Sequence, residues 1–196
     1  MYHPRLPIVF VHGFLDKSSV FRRMASHLKH KGWEVYDSLD LIPNNGTISI
    51  EAMAGQLDVY INKNLGTDAP FYLVGFSMGG LVSRYYIQRM GGIEKVKHLV
   101  TISSPHFGTL LARVFNREAC KQMRSNSIFL KELNRDLTML KKIKCTSIWA
   151  RFDTTILPNN SSHLPFGNET VFNFGIHPLM PYSGKVILAV ENALHS

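Results

Sequence analysis

Hydrophobic positions in this chain follow two patterns that alternate from one end to the other. Short continuous apolar runs are typical of buried strands, and apolar residues three or four positions apart are typical of helices with one buried face. The runs predict strands at residues 6–11, 33–41, 71–76, 96–103, 145–152 and 170–174. The spaced positions predict helices at residues 20–28, 50–61, 81–91, 108–142 and 179–194, the first capped by Ser18 or Ser19 and closed by Gly32.

This alternation of strand and helix, with few hairpin signals between strands, indicates the fold class. It predicts an α/β protein with a mostly parallel, doubly wound sheet and helices on both faces. The carboxyl ends of parallel strands meet at one edge of such a sheet, where functional sites lie. No linker or internal repeat divides the 196 residues. We therefore predict a single domain over residues 1–196, with a helical insertion or cap at about residues 108–142 that breaks near residues 125–127.

The third predicted strand ends in the sequence Gly-Phe-Ser-Met-Gly, and a helical pattern follows it. Gly-x-Ser-x-Gly between a strand and a helix is typical of a nucleophile elbow, a strained turn that exposes the serine hydroxyl. Gly75 and Gly79 flank Ser77 because a β-carbon there would collide with the turned backbone. The alternative is a glycine-rich turn with an incidental serine, but the strand and the helix favour a catalytic Ser77.

A catalytic serine needs a base within hydrogen-bond reach and an acid that orients the base. In this architecture the acid and the base follow the serine in that order along the chain. Among the late acidic residues, only Asp153 directly follows a predicted strand. Glu169 precedes the next strand, and Glu191 lies in the last helix. The sequence therefore predicts Asp153 as the catalytic acid.

The candidates for the base are the histidines that follow Asp153 in the sequence. His177 lies between the last predicted strand and the last helix, which is the position that the architecture requires. His163 lies in a loop and His195 at the tail. We predict His177 as the base; the alternative is a loop histidine that binds backbone.

An oxyanion hole needs two backbone N–H donors, one after the nucleophile and one from the loop after the first strand. Met78 is predicted to open a helix, so its N–H lacks an intrahelical acceptor. The loop with His12, Gly13 and Phe14 would supply the Phe14 N–H, and Gly13 permits the close turn that exposes it. We expect the side chain of His12 to bind loop backbone rather than to take part in the reaction.

The distribution of charged residues limits the classes of partner that we expect. The chain has 22 Lys and Arg against 14 Asp and Glu, and nine of these cations but only three of the acids lie in residues 108–144. No nucleic-acid motif accompanies them, so we predict no nucleic-acid partner. The cluster is either a solvated face or a surface that attracts an anionic interface or substrate.

Cofactors and metals are not expected. The sequence has no glycine-rich nucleotide loop, no His-Glu-x-x-His motif and no Cys pair at metal-ligand spacing. His27 and His30 lie three residues apart, but the Lys and Arg around them disfavour a divalent cation. The two cysteines, Cys120 and Cys145, do not make a disulfide framework, although one bridge between them stays open. No apolar run is long enough for a membrane span, and no signal peptide is evident. We expect a cytoplasmic protein, or a secreted one if a signal has been removed.

Three segments together resemble the α/β-hydrolase fold, and more narrowly small bacterial lipases and esterases: residues 9–14, 75–80 and 99–109. Residues 146–153 are similar to the acid-bearing strand of that family, and residues 174–177 to its histidine loop. The resemblance implies a compact α/β hydrolase without the early edge strands. It also implies a carboxylic-ester hydrolase with the triad Ser77, Asp153 and His177 and an acyl-enzyme intermediate.

Other functions remain open on this fold. A thioesterase or amidase would use the same triad, and a binding protein on a hydrolase scaffold is disfavoured because all three triad positions are filled. The substrate is expected to be a small-molecule or lipid acyl ester. The apolar positions of residues 108–142 predict either static helices over the sheet or a cap over Ser77. Such a cap would present apolar groups to an acyl chain and basic groups to an anionic lipid surface.

Overall fold

A six-stranded parallel sheet forms the centre of the molecule in a computed structural model that describes residues 5–173 and 175–196. The strand order is β2-β1-β3-β4-β5-β6, and every neighbouring pair is parallel. The mostly parallel, doubly wound sheet predicted from the sequence is confirmed. The strands are β1 (Ile8–Val11), β2 (Val35–Tyr36), β3 (Phe71–Phe76), β4 (Val96–Ile102), β5 (Lys144–Ala150) and β6 (Asn168–Phe172).

Helices cover both faces of this sheet. One apolar core packs α1 and α7 against the sheet, and the other packs α2, α3 and α6 against the opposite face. Successive residues of β1 alternate between the two cores, and all four are buried. No helix among the described residues is long and apolar enough to cross a membrane. The helices are α1 (Arg22–His30), α2 (Ile50–Asn64), α3 (Met78–Arg89), α4 (Gly92–Lys95), α5 (Glu118–Gln122), α6 (Ile128–Arg135) and α7 (Gly184–His195).

The second strand is much shorter than the sequence predicts. Only Val35 and Tyr36 pair with β1, although the apolar pattern runs on to Leu41. At the far end of the predicted strand and just beyond it, two side chains accept hydrogen bonds from backbone N–H groups. The Leu41 N–H donates to His12 Nε2 at 2.9 Å, and the Ile42 N–H donates to Gln56 Oε1 at 2.8 Å. Leu41 is still buried, but it packs in the core that α2 covers.

The start of the first helix also differs from the prediction. A 3₁₀ turn, Ser18–Phe21, precedes α1, and neither serine caps the helix. The Ser18 N–H instead donates to Asp40 Oδ1 at 2.6 Å. The predicted closure by Gly32 is confirmed, because this residue follows α1 with a φ of 82°.

The C-terminal elements are shifted relative to the prediction. Strand β6 begins at Asn168, so Glu169 lies inside the strand and not before it, opposite Ser147 of β5. The predicted end of this strand, Phe174, lies outside the described residues. The predicted last helix is divided into a 3₁₀ turn, His177–Tyr182, and α7, because Pro181 cannot donate a helical hydrogen bond.

Residues 108–142 form four short helical pieces rather than one long helix pair. They are a 3₁₀ turn (Leu110–Arg113), α5, α6 and a second 3₁₀ turn (Leu137–Lys142). The predicted break near residues 125–127 lies between α5 and α6. There the Ser127 hydroxyl caps α6 by accepting from the Leu130 N–H at 3.1 Å.

Candidate active site

Ser77 occupies the sharp turn between β3 and α3. Its φ of 52° and ψ of −122° lie in a strained region for a residue with a side chain, at a cost of about 1–3 kcal/mol. The turn is possible because its neighbours lack β-carbons. A β-carbon on Gly75 would lie 2.6 Å from the α-carbon of Gly80, and one on Gly79 would lie 2.6 Å from the carbonyl oxygen of His12.

Three side chains from different strand ends form one hydrogen-bonded chain at this turn. His177 Nε2 lies 2.9 Å from Ser77 Oγ, and His177 Nδ1 lies 2.8 Å from Asp153 Oδ2. All three side chains are buried. With the proton on Nδ1 donated to Asp153, Nε2 is free to accept the proton of the serine hydroxyl. The structure therefore brings the three predicted residues together within hydrogen-bond distance of one another along one chain of contacts.

Asp153 is held as an anion by its surroundings. Burial raises its pKa, but hydrogen bonds outweigh burial, so the net pKa of Asp153 is lowered. One is the contact with His177, and the others come from the N–H groups of Thr155 and Ile156, which donate to Oδ1 at 2.8 and 3.0 Å. The carboxylate is thus fixed on one side by backbone and on the other by the imidazole.

The alternative acids and bases lie in other contacts. Glu169 accepts from Trp149 Nε1 at 2.7 Å and binds His163 at the same distance. Glu191 binds His27 at 2.7 Å, and His195 lies 3.9 Å from it on α7. Of the candidate acids and bases in the described residues, only His177, and through it Asp153, is therefore joined to the Ser77 hydroxyl by side-chain hydrogen bonds.

The loop after β1 packs directly against the serine. His12 donates from Nδ1 to the carbonyl oxygen of Gly13 at 2.9 Å and accepts the Leu41 N–H at Nε2. Burial lowers the pKa of His12, which agrees with a neutral ring held by backbone. A β-carbon on Gly13 would lie 3.1 Å from Ser77 Cβ, so the loop needs a glycine here.

Two backbone N–H groups at this point have no hydrogen-bond acceptor among residues 5–173 and 175–196. Met78 is the first residue of α3, so its N–H has no intrahelical acceptor. The Phe14 N–H donates to no acceptor in the described part of the chain. Both belong to segments that meet at Ser77, which is the arrangement expected of an oxyanion hole.

An apolar cavity of about 270 Å³ opens beside Ser77. Most of its walls could not be predicted from the sequence, because they come from four separate segments that only the fold brings together. The apolar positions of residues 108–142 were the available signal for one wall. The lining residues are Phe14, Ser77, Pro105, Thr109, Leu111, Ala112, Val114, Phe115, Cys120, Met123, Thr155 and Ile156.

The cysteines and the metal-ligating side chains of the described residues form no second site. Cys120 and Cys145 are both free and buried, so the bridge that the sequence left open is not formed. Within residues 5–173 and 175–196, no three His, Cys, Asp or Glu side chains are grouped so that they could hold a metal ion.

The fold is that of the α/β hydrolases, as the sequence predicted, and it is similar to three solved structures. The mature lipase BlEst2 of Bacillus licheniformis superposes with a TM-score of 0.82 at 18% identity, over 99% of this chain and 94% of that chain. The lin2722 product of Listeria innocua superposes with a TM-score of 0.74 at 15% identity, over 98% of this chain and 94% of that chain. A thermophilic esterase from Thermogutta terrifontis superposes with a TM-score of 0.65 at 18% identity, over 97% of this chain and 89% of that chain.

A family comparison makes the classification narrower. The model of the palmitoyl protein thioesterase family matches residues 7–138, which is about two thirds of the chain. The chain therefore belongs to the palmitoyl protein thioesterase family. It is an ester-hydrolysing enzyme, as the sequence predicted.

Proposed function

We propose that this protein cleaves carboxylic esters and thioesters of acyl chains through an acyl-enzyme intermediate on Ser77. The observation that carries the proposal is the continuous hydrogen-bonded chain from Ser77 Oγ through His177 to Asp153. A serine on a strained turn, an imidazole and a carboxylate, hydrogen-bonded in this order, constitute the machinery of serine hydrolases. A binding protein would have no need to maintain the strained backbone of Ser77.

In the acylation step, Ser77 Oγ attacks the carbonyl carbon while His177 Nε2 takes its proton. The negative charge that forms on the carbonyl oxygen is stabilised by the N–H groups of Phe14 and Met78. Asp153 stabilises the imidazolium and holds its orientation. The intermediate then collapses, and the leaving alkoxide or thiolate takes the proton from His177.

The second step repeats the first with water in place of serine. His177 takes a proton from water, and the resulting hydroxide attacks the acyl carbon of the ester on Ser77. The same two N–H groups stabilise the second oxyanion. When this intermediate collapses, the fatty acid leaves and Ser77 Oγ regains its proton from His177.

The acyl group is proposed to occupy the apolar cavity beside Ser77. Its walls are mostly hydrocarbon, which suits an acyl chain better than a polar group. Membership of the thioesterase family favours a thioester as the scissile bond. The ester remains the second candidate, because both bonds use the same oxyanion and the same base.

The segment of residues 108–142 has one part that is fixed to the body of the protein. Buried Arg84 of α3 donates to the Leu133 carbonyl at 3.2 Å and to Asn134 Oδ1 at 2.8 Å. Gln88 donates to the same Leu133 carbonyl at 2.8 Å, and Arg89 pairs with Asp136 at 2.7 Å. These contacts favour static packing of α6 over the sheet.

The other part of the segment is proposed to face a lipid surface. Leu110 and Val114 expose 51% and 69% of their areas near the cavity mouth, and Leu111 and Phe115 are also exposed. Arg113, on the same turn, is one of the nine cations of residues 108–144. Apolar groups with interspersed cations suit contact with an anionic membrane. Since α6 is fixed, this rim would carry the contact without movement of the whole segment.

The experiment that tests the function compares p-nitrophenyl esters and matched S-acyl thioesters of several chain lengths. Wild-type protein should hydrolyse both classes, and Ser77→Ala should lose turnover by about 10⁶-fold for each. Circular dichroism of the variant establishes that it is folded. Equal hydrolysis by the folded variant would contradict the proposal.

A further inference from the structure

Asp16 places a second carboxylate beside the nucleophile. A β-carbon built on Gly13 would lie 2.9 Å from Asp16 Oδ2 and 3.1 Å from Ser77 Cβ, so both atoms approach the same point. The position of the Asp16 backbone is set by two contacts. Its N–H donates to the Gly13 carbonyl at 3.3 Å, and the Asn44 side-chain amide donates to its carbonyl oxygen.

This carboxylate has no hydrogen-bond donor within the described residues. It is partly buried, and burial raises the pKa of Asp16, against the opposing influence of His12 and His177. The other acid of the site, Asp153, accepts three hydrogen bonds. The charge of Asp16 is therefore not offset by a hydrogen bond or ion pair among the described residues, and it can act on a group that enters the site.

The chemistry identifies what enters beside Asp16. The acyl chain would take the apolar cavity, whose lining includes Phe14 and Ser77 but not Asp16. The leaving group must lie next to His177, because that residue protonates it. Because Asp16 Oδ2 and Ser77 Cβ both approach the β-carbon position of Gly13, the carboxylate lies on the same side of the nucleophile as the loop and near this region.

We propose that Asp16 selects the leaving group by its charge. This inference rests on the proposed function, because it concerns substrates that Ser77 cleaves. The carboxylate favours esters and thioesters whose leaving group carries a cation, such as a primary or quaternary ammonium, near the scissile bond. It disfavours leaving groups with an anion at that position. Asp16 is therefore a specificity-determining residue of the active site, although the net charge of the protein is +8.

The test uses three thioesters with the same hexanoyl chain and the same two-carbon spacing from sulfur to the variable group. One carries the trimethylammonium of thiocholine, one the sulfonate of mercaptoethanesulfonate, and one a neutral tert-butyl group in place of trimethylammonium. The kcat/KM of each is measured for wild type and for Asp16→Asn, which keeps the backbone contacts. The cationic-to-anionic ratio of kcat/KM should fall about tenfold in the variant. A fall smaller than about threefold would overturn the inference.

Effects of the substitution that are the same for all three substrates cancel in the cationic-to-anionic ratio of kcat/KM. The matched control is Asp40→Asn, which removes a nearby carboxylate that binds the Ser18 N–H. Its ratio should stay within about twofold of wild type, because Coulomb attraction across solvent is weak. An equal fall in Asp16→Asn and Asp40→Asn would reduce the effect to general surface charge and overturn the specific role.

A pH series gives a second readout, since both charged probes keep their charge throughout. Protonation of Asp16 removes its negative charge, so the wild-type ratio should fall as the pH is lowered from about 7.5 to about 4.5. His12, His177, Asp40 and Asp153 titrate nearby, but Asp16→Asn retains all four. The ratio of the variant should be flat, and equal pH dependence in both proteins would contradict the inference.

Failure of this inference is distinguishable from failure of the proposed function. Hydrolysis of the neutral thioester by Ser77→Ala would contradict the function itself. If hydrolysis depended on Ser77 but the cationic-to-anionic ratio of kcat/KM were the same in wild type and Asp16→Asn, the proposed function would stand. Only the selection by charge would be rejected.

Discussion

A β-carbon on Gly79 would lie 2.6 Å from the carbonyl oxygen of His12, so helix α3 begins in backbone contact with the end of β1. The contact brings the first N–H of α3 next to the loop that carries Phe14. Both donors of the proposed oxyanion hole therefore depend on the absence of one methyl group. The same contact explains why the elbow glycine and the His-Gly loop occur together in this sequence.

The first prediction is that Gly79→Ala damages both stability and activity. The methyl group forces α3 away from the loop, and overpacking of this kind costs about 1–3 kcal/mol. Urea denaturation should show that loss, together with a fall in esterase activity. Gly55→Ala is the control, because nothing lies within 4 Å of its β-carbon in α2. It should raise the free energy of unfolding by about 0.5–1 kcal/mol. A Gly79→Ala protein as stable and active as wild type would contradict the packing argument.

The second prediction concerns the acid of the triad. Asp153→Asn should leave the fold intact, because an amide oxygen still accepts the Thr155 and Ile156 N–H groups. Turnover should fall about 10⁴-fold, since the amide group favours the wrong imidazole tautomer. Glu169→Gln is the matched control, because Glu169 binds Trp149 and His163 instead. If Glu169→Gln lost activity and Asp153→Asn did not, the acid would be misassigned.

The third prediction is a loss of stability in acid that involves His98. Burial, with a smaller influence of Lys144, lowers the pKa of His98 to about 4, and its Nε2 lies 2.9 Å from Thr146 Oγ1. Between about pH 6.5 and about pH 4, the unfolded chain binds a proton that the folded chain does not. The free energy of unfolding should therefore fall by about 1.4 kcal/mol per pH unit from this residue as the pH decreases.

Chemical denaturation at several pH values measures this slope. His98→Gln should reduce it by about one proton, whatever its effect on stability at neutral pH. Buried His12 and His106, whose pKa values burial also lowers, will maintain part of the slope. An identical slope in wild type and His98→Gln would show that His98 does not contribute.

The fourth prediction tests the proposed lipid-facing rim. Leu110→Ser should weaken binding to anionic vesicles about tenfold, because it removes an apolar side chain that would insert. Leu188→Ser on α7 is the control, since both leucines are 51% exposed. Added salt should weaken binding of all three proteins by screening the cations. Equal vesicle binding by the two variants in sedimentation assays would place the membrane contact elsewhere.

Features set by local sequence order were the ones that could be predicted. The elbow needs only a strand, two glycines and a helix, and the position of Asp153 and His177 after their strands follows from the chain order. Contacts between distant segments could not be predicted. The apolar pattern of residues 33–41 gave no sign that His12 and Gln56 would accept hydrogen bonds from the N–H groups of Leu41 and Ile42. The proximity of Asp16 to Ser77 likewise depends on how closely the backbone of Gly13 packs.

The structure of residues 108–142 could also be predicted only in part. Their helical periodicity was evident, but their division into fixed and exposed parts depends on Arg84, which lies in another element. Burial lowers the pKa of Arg84 to about 9, so it still carries a proton at neutral pH. A buried arginine that anchors a remote helix has no local signal in the sequence.

Rapid quenching followed by peptide mass spectrometry detects the proposed acyl-enzyme on Ser77. Wild-type protein mixed with excess p-nitrophenyl ester and quenched in acid should carry one acyl group, on the peptide that contains Ser77. Ser77→Ala should carry none. An acyl group on another residue, such as Cys120 in the cavity wall, or full turnover by folded Ser77→Ala, would contradict the account.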